Sequence, residues 1–406
     1  MKAYHAPFAD ELLASWHARR RVEECGPQQV ATHAVLNRNA EWCHPDINPT
    51  KAWLKAASAR FNVSTSELNA CALARRYPAL PPDFAAWNLA FFLGRPDETG
   101  PAPRLRISWC TRCLADDFAA GRPAHIRQIW VMAAAGFCHM HRWPLDDQCS
   151  ACGAGQWRFA APPRGPLRMI CRSCWRPLER ANSATLESAQ DSQECWDCVI
   201  GLETELLNAV RGKTPDQFRF NFTSASHLIN AVRDICRLLT RRNRVPPRSD
   251  TALNSFKCPA LSPARTEVDF LPIDTTFPLA TATLAQRRAL LGAVAAIIQP
   301  LRHIGTTLFG QGSDQAIDIF IRSVEGSALD NCMAEPKRWS PSFRSQISAA
   351  LDRRRHKELS LRLTDQMQRL CLRNDPPDAL WRPRQAAPRG RFAQASRQPS
   401  GNVAQG

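Results

Sequence analysis

The stretch that decides the fold runs from Cys110 to Cys174. It holds Cys110-Thr111-Arg112-Cys113, Cys138-His139-Met140-His141, Cys149-Ser150-Ala151-Cys152-Gly153 and Cys171-Arg172-Ser173-Cys174, separated by 24, 7 and 18 residues. The four clips supply seven thiols and one imidazole, the ligand complement of two tetrahedral zinc sites. Two ligands separated by two residues are aimed at one ion by a single tight turn, and two such turns close a site. One CxxC pair is expected by chance in a chain with sixteen cysteines, but four in series with a histidine in the alternate place are not.

Pairing follows from spacing. Consecutive pairing puts Cys110, Cys113, Cys138 and His141 on one Zn2+ ion, and Cys149, Cys152, Cys171 and Cys174 on a second. A RING-like cross-brace would instead join clips one and three, then two and four. RING modules leave two or three residues between the His and the next Cys, whereas Arg142 to Gln148 is seven. Tandem zinc ribbons are therefore expected, with His139 as the alternative to His141. Both ions are expected to be structural, because four protein ligands leave no open position for water. Gly153 is placed to take positive φ in its knuckle. Between the first two clips, Ile126, Ile129, Trp130 and Ala133 fall at helical spacing and predict a short helix over His125–Ala134.

The chain of 406 residues is long enough for several domains and carries a net charge of +16. Such an excess of bases favours a polyanion, with nucleic acid the default partner. The preference for Arg over Lys reflects composition bias, which does not account for the excess of bases over acids. No apolar run reaches the length of a membrane span; Leu290 to Ile298 is short and soon meets Pro300. The N-terminus, Met1-Lys2-Ala3-Tyr4-His5, lacks an apolar signal core, so a cytoplasmic, nucleoid-associated protein is expected, with metal and free thiols rather than disulfides.

Upstream of the clips, Asp10-Glu11 followed by Leu12 to Arg19 predicts a helix over Pro7–Arg21 with acids in its first turn. Ala52–Arg60, a turn at Phe61–Val63 and a second helix opened by Ser64 and Glu67 form a helix-turn-helix pattern with a capping box. Thr65, Ser66 and Asn69 would face outward, with Arg75 and Arg76 near the end, as candidate DNA contacts; an architectural helix pair is the plainer reading. Trp87–Leu93 reads as a short helix between Pro-rich breaks.

Downstream, Cys195-Trp196-Asp197-Cys198 is a fifth clip with no partner nearby, read as two thiols on the first turns of a helix rather than a third metal site. A helix over Ser224–Arg242 has Leu228, Val232, Ile235 and Leu239 on one face and Arg233, Arg237 and Arg241 on the other, with Arg244 beyond. Those arginines form either a solvated face or a stripe for DNA phosphates. Helices are also predicted over Leu284–Ile298, Asp314–Val324 and Ser342–Leu372. The last carries Arg353 to Lys357, read as a solvated face. Gly305 to Gly310 has Walker-like glycine spacing, but Gln311 and Gly312 stand where Lys and Ser or Thr are required, which excludes nucleotide binding there. No HExxH or GxSxG motif is present, and no enzyme activity is expected.

The fold expected is mostly α with small β zinc ribbons. Its parts are an N-terminal helical region with a helix-turn-helix (1–103), tandem zinc ribbons (104–180) and a helical, DNA-binding-like segment (181–245). A linker (246–278), a C-terminal helical region (279–375) and a disordered basic tail (376–406) follow.

Pro7, Glu11, Leu12, Leu13, Ser15 and Trp16, then Cys110-x2-Cys113-Leu114, Trp130 before Cys138-x2-His141, Leu145 before Cys149-x2-Cys152-Gly153, and Cys171-x2-Cys174 resemble the TniQ family of transposon proteins in order and spacing. The likeness covers roughly residues 7 to 180. It departs at Thr111, His139 and Ser150, where family clips often carry Pro, and at His17, where an apolar residue is usual. The resemblance implies a non-catalytic accessory protein of DNA transposition, an adaptor linking target DNA to an AAA+ ATPase regulator and the transposase, with self-association left open. A RING-like scaffold for ubiquitin transfer and a zinc-containing transcription regulator are the alternatives.

Overall fold

The computed structural model describes residues 6–25, 45–78, 96–97, 104–105, 107–180, 189–215, 218–241, 253, 256, 278–298 and 313–374. These are mostly helical, with three two-stranded antiparallel sheets. The expected helix at Trp87–Leu93, the Walker-like segment, most of the linker and the tail lie outside the described residues.

Helix α1 is Leu13–Cys25, later than the sequence suggested. Asp10 and Glu11 precede it rather than forming its first turn. The buried Asp46 carboxylate, far along the chain, receives the Ala14 N–H at 2.7 Å. Burial pushes the Asp46 carboxyl up to about 7, against the pull of the Ala14 and Leu13 amides. Glu11 is released to bind Arg19, a pair with both side chains at 0% exposure.

Helices α2 (Lys51–Phe61) and α3 (Thr65–Ala70) are joined by a tight turn in which Asn62 takes φ 53°. Thr50 caps α2, and at α3 the capping box is formed: the Ser64 Oγ accepts the Glu67 N–H while Glu67 accepts the Ser64 N–H. A short α4 (Leu73–Arg76) hangs on the Asp46 and Ile47 carbonyls. Leu13 and Trp16 of α1 close over Leu54, Ala57, Phe61, Val63 and Leu68 in a small core of their own. Ala57, Val63, Leu68 and Cys71, where a helix-turn-helix needs small or apolar residues, are buried. His17 is half-buried against the Trp53 and Phe61 rings, and burial with the nearby Arg21 and Arg60 charges lowers it to about 4.

After the strand pair β1 (Pro96–Asp97) and β2 (Arg104–Leu105), the cysteine-rich segment holds α5 (Thr111–Ala119), the hairpin β3 (Phe137–Cys138) with β4 (Trp143–Pro144), and the hairpin β5 (Trp157–Ala160) with β6 (Arg168–Cys171). The helix expected over His125–Ala134 is only one 3-10 turn, Gln128–Val131. Ile126 and Gln128 are taken up by backbone bonds to Leu12 and Asp10, and Ile126, Trp130 and Met132 to Ala135 are buried on every side. A run buried all round carries no usable period.

In the second half, α6 (Ala189–Val210), α7 (Ala225–Thr240), α8 (Pro278–Thr281), α9 (Leu284–Ile298), α10 (Ser313–Ser323), α11 (Gly326–Ala334) and α12 (Pro341–Asn374) follow; α7, α9, α10 and α12 lie within a few residues of the predicted helices, α6 carries the fifth clip as expected, and α8 and α11 were not foreseen. Helix α9 is apolar all round from Ala289 to Ile298 and packs against α6, α7 and α10, as such a helix must. Asp234 of α7 is buried and holds Arg338 through two oxygens as well as the Trp339 indole N–H. Two compact units, Met1–Arg353 and Arg354–Gly406, divide the chain within α12.

The cysteine-rich segment is fastened to the helices through Gly136. Its N–H donates to the buried Glu203 of α6 at 2.7 Å, and Arg288 of α9 donates to the Leu145 carbonyl at 3.0 Å. A Cβ at Gly136 would sit 2.7 Å from the Arg288 Cγ. Gly136→Ala is expected to cost about 1–3 kcal/mol through overpacking, read as a lower urea midpoint at unchanged slope.

Candidate metal centres

The four clips come together in consecutive pairs. Cys110, Cys113, Cys138 and His141 form one group and Cys149, Cys152, Cys171 and Cys174 the other, each with its ligand atoms within 4.8 Å of one another. Clips one and three, which a cross-brace would join, fall in different groups.

Each clip is aimed by a local device. Cys110 is the N-cap of α5, with its sulfur accepting the Cys113 N–H at 3.5 Å. The other three clips are knuckles, each followed by a residue in the left-handed region: Arg142 at φ 48°, Gly153 at 72° and Trp175 at 63°. The Gly153 N–H returns to the Cys149 carbonyl, and the Trp175 N–H to that of Cys171. Only Gly153 was legible beforehand, because Arg and Trp give no sign of positive φ.

The spacing within the groups fits a tetrahedral ion. Thiolates about 2.3 Å from zinc lie about 3.7 Å apart. In the first group Cys113 and Cys138 are 3.5 Å apart, and the His141 Nδ1 is 3.2 Å from Cys113 and 3.6 Å from both Cys110 and Cys138. In the second, Cys149–Cys174 is 3.6 Å and Cys152–Cys171 is 3.5 Å. These separations are too long for disulfides. Contact with the Cys110 and Cys138 sulfurs pushes the Cys113 thiol far up, while hydrogen bonds from Cys110 and Cys113 hold Cys138 far down. Sulfurs this crowded ionise together only around a cation. Both groups are thus capable of holding a metal ion.

His141 turns its Nδ1 to the sulfurs and its Nε2 to Asp116 of α5, 2.7 Å away. A carboxylate on the far nitrogen fixes the ring and its tautomer. Asp116, one turn beyond Cys113, was not anticipated. His139 faces Glu203 at 3.2 Å, outside the group. Cys195 and Cys198 lie on α6, and no third ligand group forms among the described residues.

The expected DNA-contact residues are scattered. Thr65, Ser66 and Arg75 are exposed, Asn69 is partly covered, and Arg76 donates from Nε to the Ala70 carbonyl. On α7, Arg233 is half-buried and bonded to Asn230, Arg237 is exposed, and Arg241 lies 3.5 Å from Glu325. Arg244 lies outside the described residues. Of the basic run on α12, Arg353 pairs with Asp318 and Arg354 with Glu358.

The motif at the N-terminus now has a physical role. Leu12 enters the main core while Leu13 and Trp16 enter the small one. Glu11 gathers Arg19, Ser15 and the Phe8 N–H, and Ser15 accepts the Ile126 N–H. Gln128 then reaches the Cys71 carbonyl at 2.9 Å. These bonds splint the helical pair to the segment between the first two clips, and residues 4–145 as a block match the model of the TniQ family. The match takes in α1, the helical pair and the whole first ligand group, and stops before Cys149, short of the reach the motifs suggested. TniQ proteins are associated with transposition. No curated protein matches the chain. No helix among the described residues is long and apolar enough to cross a membrane.

Proposed function

We propose that this TniQ-family chain is a zinc-stabilised adaptor of DNA transposition that joins target DNA to an AAA+ ATPase regulator and, through it, to the transposase, without chemistry of its own. The observation that carries the reading is the splint of Glu11, Ser15 and Gln128. It holds the helical pair α2–α3 in fixed relation to the first ligand group within the TniQ match. An adaptor needs such rigidity, because it must keep two partners at a set distance. Zn2+ in both groups suits the all-protein donor sets, and His141 with Asp116 behind it suits the imidazole place. The segments 1–103, 104–180 and 181–245 then act as reader, spacer and second reader, with the linker, C-terminal helices and tail behind them.

DNA contact is assigned to Thr65, Ser66, Asn69, Arg75 and Arg76, with Arg237 as the open member of the α7 stripe. With about three guanidiniums on phosphates, the logarithm of duplex affinity falls against log salt with a slope of about −3. An affinity flat from low to moderate salt removes direct DNA binding from the proposal. Pull-down of the ATPase regulator with and without target DNA tests the adaptor role: co-capture strengthened by DNA supports it, and no capture in either condition overturns it.

A further inference from the structure

The second cysteine hairpin lies beyond the TniQ match and has a composition of its own. From Gln148 to Leu178 there is no acidic residue, while Arg158, Arg164, Arg168, Arg172 and Arg176 are all basic. Of these, Arg168 is paired with Glu179. Arg164, Arg172 and Arg176 are exposed. Arg158 stands over the Trp175 ring, 3.2 Å from its centroid, and its Nε makes no hydrogen bond among the described residues. Its guanidinium is close enough to Arg172 for that charge, added to burial, to lower it.

Trp175 is the unexpected member. It occupies the left-handed position of its knuckle at φ 63°, the place Gly153 fills in the sister knuckle at 72°. Glycine takes that conformation without strain, and a bulky side chain is held there only under strain. Yet the indole is 61% exposed and adds little to the core. A large ring on a strained backbone, outside the core and among arginines without an ion pair among the described residues, answers to a ligand rather than to folding.

We propose that this hairpin is a platform for single-stranded nucleic acid, on which Trp175 stacks an unpaired base and Arg158, Arg172 and Arg176 hold the flanking phosphates. Every base has a π face, so the platform is tolerant of sequence, and duplex, with its bases already stacked, gains only the phosphate contacts. The site is separate from the helix-turn-helix and does not rest on duplex binding there.

The test uses the full chain, with dye-labelled oligothymidylate, oligouridylate and a duplex as probes, read by anisotropy. Trp175→Gly suits the backbone, so the fold is kept and bound metal should be unchanged; Trp175→Phe keeps a ring. Trp175→Gly is expected to weaken single-strand binding about 5- to 100-fold while duplex binding shifts by less than about twofold, and Trp175→Phe to restore most of the loss. Response of either oligonucleotide supports the site, and the stronger one names DNA or RNA as its source. Wild-type chain that binds neither oligonucleotide overturns the proposal. So does a Trp175→Gly chain that retains metal and wild-type single-strand affinity, or one that loses duplex and single-strand affinity alike.

Discussion

Withdrawing the metal with a strong chelator unfolds the segment between Ile107 and Arg180 and leaves much of the helical signal of α6, α7 and α9. A structural zinc contributes an apparent 10–16 kcal/mol or so, against about 5–15 kcal/mol for the net stability of a whole domain. The hairpins β3–β4 and β5–β6 are two and four residues per strand, too short to stand alone. Trp109, Trp130 and Trp143 are buried around the first group, so the near-ultraviolet dichroism reports its loss, while the far-ultraviolet signal falls less. The two centres should part company in rate. Cys110, Cys113 and Cys138 are buried, whereas Cys152 is exposed and Cys174 half-buried, so the second ion leaves first. Elemental analysis is expected to give two zinc per chain, about one in Cys113→Ser and about one in Cys171→Ser. Full metal content in either variant would remove that cysteine from the ligand set.

The parts of this architecture that were readable beforehand are those in which residue type and spacing act locally. The consecutive grouping of clips followed from the seven residues between His141 and Cys149, and the capping box at Ser64 and Glu67 needs only four residues to specify it. Helix α9 announced itself by apolar content alone. The misses share one cause, which is that a distant residue decides the local outcome. Helix α1 starts at Leu13 because Asp46 supplies the cap, and no window around residue 13 contains that carboxylate. The run His125–Ala134 keeps only one 3-10 turn because Asp10 and Leu12 pair with its backbone at Gln128 and Ile126. The arginines of α7 stand apart from these: their period was legible, while the neighbours that meet two of them, Asn230 at Arg233 and Glu325 at Arg241, were not. Asp116 lay one turn from a recognised ligand and was the one omission that helical spacing after Cys113 would have exposed.

Replacing Glu11 by Ala is expected to destabilise the N-terminal region by about 3–5 kcal/mol, the loss seen when a buried charge is stripped of its partner. Arg19 donates to Glu11 from both Nε at 3.2 Å and Nη2 at 3.0 Å, and both side chains are wholly buried. After the change Glu23, 3.4 Å from Nη1, and the Ala6 carbonyl, 3.3 Å from Nη2, remain, but the Nε loses its acceptor. The Phe8 N–H and the Ser15 hydroxyl lose theirs as well. Glu11→Gln keeps the shape and one acceptor oxygen, so its loss should be smaller. The double change Glu11→Leu with Arg19→Met removes both charges and should recover much of the difference, because burying an ion pair costs desolvation that apolar side chains avoid. Urea unfolding of the four chains measures this directly. An Ala variant within about 1 kcal/mol of wild type would make the pair no stronger than a surface one and leave the splint without its central fastening.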